Sequence, residues 1–529
     1  MNKTCQISQE VFEVSKEDLD FYEKIGVEVP KLSPDERRRR RFAFRNERFL
    51  YKRKSDFSGK EIISCVHPDE PHKVYSTEEW WSDDWDAIDS GIDFDFDRPF
   101  FEQFEEVFLN TPMIALHVVN TQNCPYVNYT GDCKNCHMIF GPVYSDDCLY
   151  GSPYYCKSCV DSLLVRDSEL CYECVTCEKC YQCLHCQDCV NSQNLIQCYD
   201  CKGCHDCIGS CGLRNKKFHI FNKPYSQDDY EKFKKTLDLS DKEQMKDLRK
   251  KFIQLKLSLP HRAMVSVNIE NCTGDYLYES KNTHEAYDSQ RCWDCKHLAQ
   301  TIDMKDCHDC NYTEENELCY EYIGYYRNNN CQFSLGFFNC NNVMYSSNCI
   351  SSNNLFGCAG LKRKEYCIFN KQYSKEEYKE LRGRIIEHMK KTCEWSEFFP
   401  VKMSPFCYNE TVANEYFPMD KEEALEREYR WRKKDPKEYL APHDDILACS
   451  ECEKNYKLLP AEVKFYGKAE LGHPDKCPDC RHKDRLGLRT ERKLWDRKCA
   501  KCEAAMKTTY SDEKPEIIYC EKCYLESVH

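Results

Sequence analysis

Eight cysteines late in the chain have the spacing of metal ligands. Cys449, Cys452, Cys477 and Cys480 form two C-x-x-C pairs separated by 24 residues, and Cys499, Cys502, Cys520 and Cys523 form two more, separated by 17. A C-x-x-C turn brings two sulfurs to one side. Two such turns complete the closed tetrahedral thiolate sphere that zinc takes in structural sites. Soft thiolates also accept iron or cadmium, with zinc the ordinary occupant. A closed sphere leaves no position for substrate, so about two ions per chain are expected, holding the fold rather than catalysing. Sequential and interleaved pairing of the four turns both fit the spacing.

A second set is basic. Arg37, Arg41, Arg45 and Arg48, and again Arg481, Arg485, Arg489 and Arg492, recur at steps of 4, 4 and 3. These steps fall on one helix face, and 481–498 has good helix formers and no proline. Guanidinium groups in a row grip phosphates or carboxylates bidentately. One reading is contact with the backbone of nucleic acid or a ribonucleoprotein. The others are a charged solvent face, or bracing against the acidic segment 83–97 of the same chain.

A third set is the cysteine ladder. Cys171, Cys174, Cys177, Cys180, Cys183, Cys186 and Cys189 recur at every third residue, and Cys198, Cys201, Cys204 and Cys207 keep the phase. Further on, Cys331, Cys340, Cys349, Cys358 and Cys367 recur at every ninth. Repeats of nine, or eighteen for a full coil, point to short β-solenoids. Cys201, Cys204, Cys207 and Cys211 have an iron–sulfur spacing, but Gly212 stands where proline is usual, and a ladder of threes produces this spacing by itself. CHDC occurs at 204–207 and 307–310, where a His between two cysteines reads as a turn residue.

The elements that carry these sets arise by duplication. Residues 5–79 align without a gap on 449–523 at an offset of 444, with 17 identities over 75 positions. At the eight ligand positions the first copy has Cys5, Ser8, Ser33, Glu36, Ser55, Ser58, Ser76 and Glu79. It therefore loses the metal at these positions and must hold by packing, through residues such as Phe21, Tyr22, Phe42, Phe44 and Trp80. It keeps the arginines. The centre is duplicated at an offset of 148. ELCYE occurs at 169–173 and 317–321, and GLRNKKFHIFNKPYSQDDY (212–230) matches GLKRKEYCIFNKQYSKEEY (360–378) at ten of nineteen positions. Cys186, Cys198, Cys204 and Cys207 fall on Ser334, Ser346, Ser352 and Leu355, so these are packing slots rather than obligatory ligands. Ser226 with Asp229, and Ser374 with Glu377, begin helices.

The expected architecture is multidomain and mainly β with helical linkers. A degenerate ribbon-like or treble-clef-like domain (1–82) leads through an acidic, aromatic connector (83–111) to a first cysteine-rich repeat (112–226) and a helical linker (227–260). A second repeat (261–374), a second linker (375–445) and the zinc domain (446–529) follow. In the connector, Trp80, Trp81, Trp85, Phe94, Phe96, Phe100, Phe101 and Phe104 fit a core or a partner anchor.

The chain has 529 residues, 41 of them cysteine, with a net charge of −14 and hydrophobic content of 41%. That balance excludes indiscriminate coating of nucleic acid and favours folded domains. The start is polar and acidic, and no apolar run approaches the ~20 residues needed to span a bilayer. A cytoplasmic chain with reduced thiols and no membrane association is therefore expected. No P-loop, H-E-x-x-H, G-x-S-x-G or G-x-G-x-x-G is present.

FRNER-x-LYKRK, SGKEIIS, KVYS-x-x-x-WWSD-x-WD, RPFFEQF, CPDCR and IYCEKCY together resemble an uncharacterised family of cysteine-rich zinc-ribbon proteins from uncultured, small-genome bacteria. The resemblance covers nearly the whole chain and implies the same architecture. Some members of that family carry a CoA-transferase assignment, for which this chain offers neither a glycine-rich loop nor an aspartate set for catalysis. The leading expectation is a non-catalytic binding or scaffolding protein that contacts nucleic acid through the arginines. The alternatives are a protein-assembly module using the solenoid faces, or a metal-buffering or redox protein using the ladder.

Overall fold

A computed structural model describes residues 1–141, 143–305, 313–317, 320–326, 332–443 and 445–528. The chain forms two compact units that do not follow its order. One comprises Met1–Leu116, Met264–Arg432 and Arg492–Leu494; the other comprises His117–Ala263, Lys433–Glu491 and Trp495–His529. Each unit joins one terminal copy to the central copy that is distant from it in sequence.

The first central copy winds in flat coils stacked in parallel. Lys157 bridges Glu169, Glu169 bridges Tyr181 and Tyr181 bridges Gln193, each step twelve residues. The steps Tyr172↔Leu184↔Ile196 and Leu163↔Val175↔Gln187 make the same twelve-residue advance. Each coil therefore has four sides of three residues: one turned inward, one in the ladder and one at a corner. The corner residues are left-handed whatever their type, as Glu173, Thr176, Lys179, Gln182 and His185 show with φ between 49° and 55°. Such residues are costly singly, and the ladder hydrogen bonds between coils supply the compensation. The coil length is thus twelve, not the nine or eighteen expected from the cysteine spacing.

The ladder of threes is the inward residue of each side. Cys171, Cys174, Cys177, Cys180, Cys183, Cys186, Cys189, Cys198, Cys201, Cys204 and Cys207 are all buried in one cluster. Their thiols donate to main-chain carbonyls. Cys186 Sγ donates to Leu184 O at 3.3 Å and Leu195 O at 3.6 Å, and Cys177 Sγ to Val175 O and Cys186 O, each at 3.5 Å. The second acceptor lies nine residues on, three sides round the coil. The second copy has the same geometry, Cys340 Sγ donating to Cys349 O at 3.3 Å and Cys358 Sγ to Cys367 O at 3.4 Å. Cys331, Cys307 and Cys310 lie outside the described residues.

The motif IFNK closes each stack. Asn222 accepts from Cys211 N and donates to Cys211 O, both at 2.8 Å, and Asn370 does the same with Ala359 at the same distances. Its amide imitates the peptide that a further coil would present. An antiparallel strand pair, Lys217–Ile220 with Lys223–Pro224 and Glu365–Ile368 with Lys371–Gln372, then ends the sheet.

One side of each stack is apolar and covered. In the first, Leu149, Val160, Tyr172, Ile196, Ile208 and Ile220 pack under Tyr466 and Leu471 or under Tyr230 and Leu248. In the second, Met344, Phe356 and Ile368 pack against Phe100, Phe104, Tyr378 and Phe399. Trp80, Phe100, Phe101 and Phe104 are buried and belong to the core, whereas Trp81 is exposed. Helices Gln227–Lys235 and Lys375–Lys391 follow the stacks, each capped by the serine expected.

The terminal copies match element by element at the offset of 444. Hairpin Asn2–Thr4/Val11–Glu13 corresponds to Ile446–Ala448/Asn455–Lys457, and Tyr51–Lys54/Glu61–Ser64 to Trp495–Lys498/Ala505–Thr508. Helices Lys16–Ile25, Pro34–Phe42 and Thr77–Trp81 correspond to Pro460–Lys468, Pro478–Leu486 and Glu521–Ser527. Among the described residues, no helix is long and apolar enough to cross a membrane.

Candidate metal centres and the arginine stripe

Each candidate centre is built from a hairpin tip and a helix start. Between Ile446–Ala448 and Asn455–Lys457 the chain turns at Cys449, whose N–H donates to Lys454 O (3.0 Å) while its C=O accepts from Glu453 N (3.0 Å). This turn places Cys449 and Cys452 side by side. The second pair lies at the start of helix Pro478–Leu486, with Cys477 in the capping position and Cys480 one turn in. Cys477 N donates to Cys449 Sγ at 3.2 Å, and the Cys452 and Cys477 sulfurs are 3.7 Å apart. The later centre repeats the plan. Cys499 N donates to Ala504 O (2.9 Å), Cys520 caps Glu521–Ser527 and donates its N–H to Cys499 Sγ (3.3 Å), and the Cys502 and Cys520 sulfurs are 3.7 Å apart.

In each group all four sulfurs lie within 4.8 Å of one another. The pairing is therefore sequential, Cys449/Cys452/Cys477/Cys480 and Cys499/Cys502/Cys520/Cys523. Four convergent thiols with main-chain donors aimed at them fit a tetrahedral thiophilic ion. Burial opposes ionisation of Cys449, but the N–H groups of Cys452 and Cys477 outweigh it and bring its thiol down to about 6. Cys499 is held at about 6 in the same way by Cys520 and Cys502. Burial pushes Cys477 up to about 12, so a bound ion would displace its proton. The centres differ in access: Cys449, Cys477 and Cys480 are buried, whereas Cys502 is exposed.

The N-terminal copy keeps the turns and replaces the metal by hydrogen bonds. Ser55 occupies the position of Cys499, and its hydroxyl donates to the Glu79 carboxylate, which also accepts from Ser76 N at 2.9 Å. Phe57 N in turn donates to Ser55 Oγ at 3.1 Å. At the other pseudo-site Ser33 caps helix Pro34–Phe42 by accepting from Glu36 N.

The arginine stripe lies inside the protein. Arg37, Arg41, Arg45, Arg48, Arg481, Arg485 and Arg492 are buried, and Arg489 is half-buried. The helices are shorter than expected, Pro34–Phe42 and Pro478–Leu486, and carry only the first two arginines of each set. Gly487 ends the second helix, and Trp495–Lys498 is a strand. Arg481 pairs with Asp161 (3.2 Å) and Glu462 (3.0 Å), and Arg485 with Asp161 (2.9 Å) and Glu173 (3.4 Å). Arg37 donates to Leu32 O (2.8 Å), Arg41 faces Glu321 (3.9 Å), Arg45 pairs with Glu47 (2.6 Å) and Arg48 faces Glu415 (3.9 Å). Arg492 pairs with Asp288 at 2.8 Å, its guanidinium 3.9 Å from the Tyr416 ring centre.

These partners correct each reading of the stripe. The seven buried guanidinium groups present nothing to a nucleic-acid backbone and form no solvent face, and the partners named above lie outside 83–97. The acidic segment pairs with other side chains: Asp83 with Arg363 (3.2 Å), Asp86 with Lys364 (2.6 Å) and Asp93 with Lys371 (2.5 Å). The duplications expose what the arginines do. Arg485–Glu173 becomes Arg41–Glu321 when 444 is taken from the arginine and 148 is added to the glutamate. Equivalent positions therefore meet where each terminal copy docks on its coil stack, with Arg40 adding the shorter contact to Glu321 at 2.7 Å.

Sequence reasoning missed Asp161, Glu462 and Asp200. Glu173 and Glu321 could have been found, since each ends the repeated ELCYE. Asp200 accepts from Tyr524 Oη and pairs with Arg214 at 2.6 Å. In the other unit Lys362 Nζ, the counterpart of Arg214, donates to Trp80 O at 2.8 Å and lies 5.3 Å from the Trp80 ring centre. Trp80 is the counterpart of Tyr524.

The described central cysteines form no further group. Among the described residues, the two four-cysteine sets are the groupings of three or more His, Cys, Asp or Glu able to hold an ion. Cys201, Cys204 and Cys207, part of the iron–sulfur spacing, face inward on successive sides and donate to Tyr199 O, Lys202 O and His205 O. The chain matches no model of a known protein family, and no curated protein matches it.

Proposed function

We propose that this protein is a non-catalytic zinc-binding scaffold. In this reading each terminal copy is treble-clef-like, each central copy is a short β-solenoid, and two zinc ions hold the C-terminal copy in shape. The convergence of eight cysteine sulfurs into two sets of four carries the reading. The solenoid reading is supported by parallel bridges repeated every twelve residues. The treble-clef reading is supported by the hairpin-tip and helix-start origin of each ligand pair.

Elemental analysis of protein purified under reducing conditions tests it. About two zinc ions per chain are expected, falling by one in Cys452→Ser and by one in Cys502→Ser. Zinc-free protein would sink the reading. Four or more zincs, or iron with acid-labile sulfide, would replace it with metal storage or redox work by the central thiols.

The partner class that the surface supports is protein. With the arginines committed internally, one side of the first stack is the file Lys134, Asp146, Lys157, Glu169, Tyr181, Gln193, His205 and Lys217, of which all but Glu169 and His205 are exposed. Its mixed charge and regular spacing suit an assembly surface of the solenoid kind.

A further inference from the structure

We infer that the ion held by Cys449, Cys452, Cys477 and Cys480 controls whether the C-terminal domain stays docked on the first coil stack. The inference rests on the zinc reading above and concerns the regulation of that site.

The argument starts from one helix. Pro478–Leu486 has nine residues, too few to be stable alone, and its capping residue Cys477 supplies no side-chain hydrogen bond to the first turn. In the corresponding helix Pro34–Phe42 that bond is made by Ser33. Two of the four ligands, Cys477 and Cys480, lie in this uncapped turn. The ion would therefore do what the serine does in the other copy, tying the turn to the hairpin tip.

The next residue is Arg481, and Arg485 lies one turn on. Asp161, with no exposed surface, receives both guanidinium groups, and Glu462, equally buried, receives the first. Tyr150 and Tyr466 donate to the same Glu462 at 2.9 and 2.7 Å. Around this knot Leu149, Tyr150, Val160 and Tyr172 of the coils pack on Tyr466 and Leu471 of the domain. A buried carboxylate that loses its cation has to be hydrated. Fraying of the first turn therefore opens the whole contact rather than one ion pair. The other unit docks through Arg40 and Arg41 on Glu321 with a serine-capped helix, so its contact is independent of metal.

Hydrogen exchange of the full chain, zinc-loaded and after chelation under reductant, reads this directly, with metal content followed in parallel. Leu149–Arg166 and Pro460–Lys468 are expected to exchange at least tenfold faster once zinc is removed and to recover when it is restored. Pro34–Phe42 is expected to stay protected. Verified zinc loss with unchanged protection of Leu149–Arg166 would overturn the inference. Asp161→Asn, which leaves all eight thiols, is expected to retain both ions yet lose the same protection; full protection in this variant would remove the Asp161 ion pairs from the argument. Cys502→Ser is expected to lose one ion and keep Leu149–Arg166 protected, and loss of protection there would assign control to the wrong centre. A chain that never holds metal overturns the zinc reading itself and this inference with it.

Discussion

Most inward side chains in a twelve-residue coil are small and supply a donor for the carbonyls that the coil turns inward, although leucine also fills such slots at Leu195 and Leu355. Cysteine meets both conditions, and so do serine and threonine. Ser192 Oγ donates to Val190 O (2.9 Å) and Cys201 O (3.4 Å), and Thr283 Oγ1 to Lys281 O (3.1 Å) and Cys292 O (3.0 Å), in the pattern that the thiols use. Burial pushes the thiols of Cys207 and Cys340 up to about 12 and so keeps these two protonated. Cys186→Ser should therefore cost about 1 kcal/mol or less, since Ser334 fills the equivalent slot; Cys186→Ala should cost about 1–2 kcal/mol through unsatisfied acceptors, and Cys186→Leu about 1–3 kcal/mol or more by overpacking. Urea unfolding checks the order. Native alkylation should reach the exposed Cys393 before any of these thiols.

Two buried histidines set a pH dependence at the same scale. Burial holds His72 and His261 at about 4, below the ordinary 6.5. The folded state keeps both neutral while the unfolded chain binds protons from 6.5 downward. Stability is thus fully present above 6.5 and falls as pH drops towards 4, by at most about 1.4 kcal/mol per pH unit for each histidine. His72→Gln should flatten that slope in unfolding curves measured between pH 7 and 4.

Elements were legible where a local pattern forces them. The capped helices at Ser226 and Ser374 and the C-x-x-C turns follow from residues within a few positions of one another. Coil length did not, because nine is the distance from a thiol to its acceptor whereas twelve is the distance between coils, and cysteines every third residue fit both. The arginine helix was overextended because 481–498 contains good helix formers; it stops at Gly487 and a hairpin follows, as in the N-terminal copy, where the same helix end and hairpin form without the cysteines. Gly151 marks a related tertiary demand. Its φ is 156°, and a Cβ there would lie 2.0 Å from Ser162 O on the neighbouring coil, at a place where the ladder step Leu149↔Val160 is eleven rather than twelve. Gly151→Ala should lower the unfolding midpoint more than any Cys→Ser change in the ladder, by calorimetry.

At the scale of the molecule the eight ligand cysteines were readable from spacing alone, since four sulfurs within one short domain have few other uses. The arginines were not, because burial is a property of what they face. Most of their acidic partners are distant in sequence, Asp161 and Glu173 for Arg485 and Glu321 for Arg41, and no periodicity within 481–492 can distinguish a phosphate from Asp161. The retention of arginine in a copy stripped of its metal ligands held the answer. A residue kept after the metal is gone serves what the two copies still share, which is docking on a coil stack.

The coil has a further consequence, for the way such a chain can change length. Asp161 and Asp200, the two anchors of the C-terminal domain, both occupy left-handed corners and are separated by thirteen sides, three full coils and one quarter turn. Inserting twelve residues between them would slide one anchor along the stack by a single strand spacing of about 4.8 Å, whereas inserting three would swing it onto the next side. Length in this segment is therefore quantised like the pitch of a screw, and relatives that keep both anchors should differ there by whole coils or not at all.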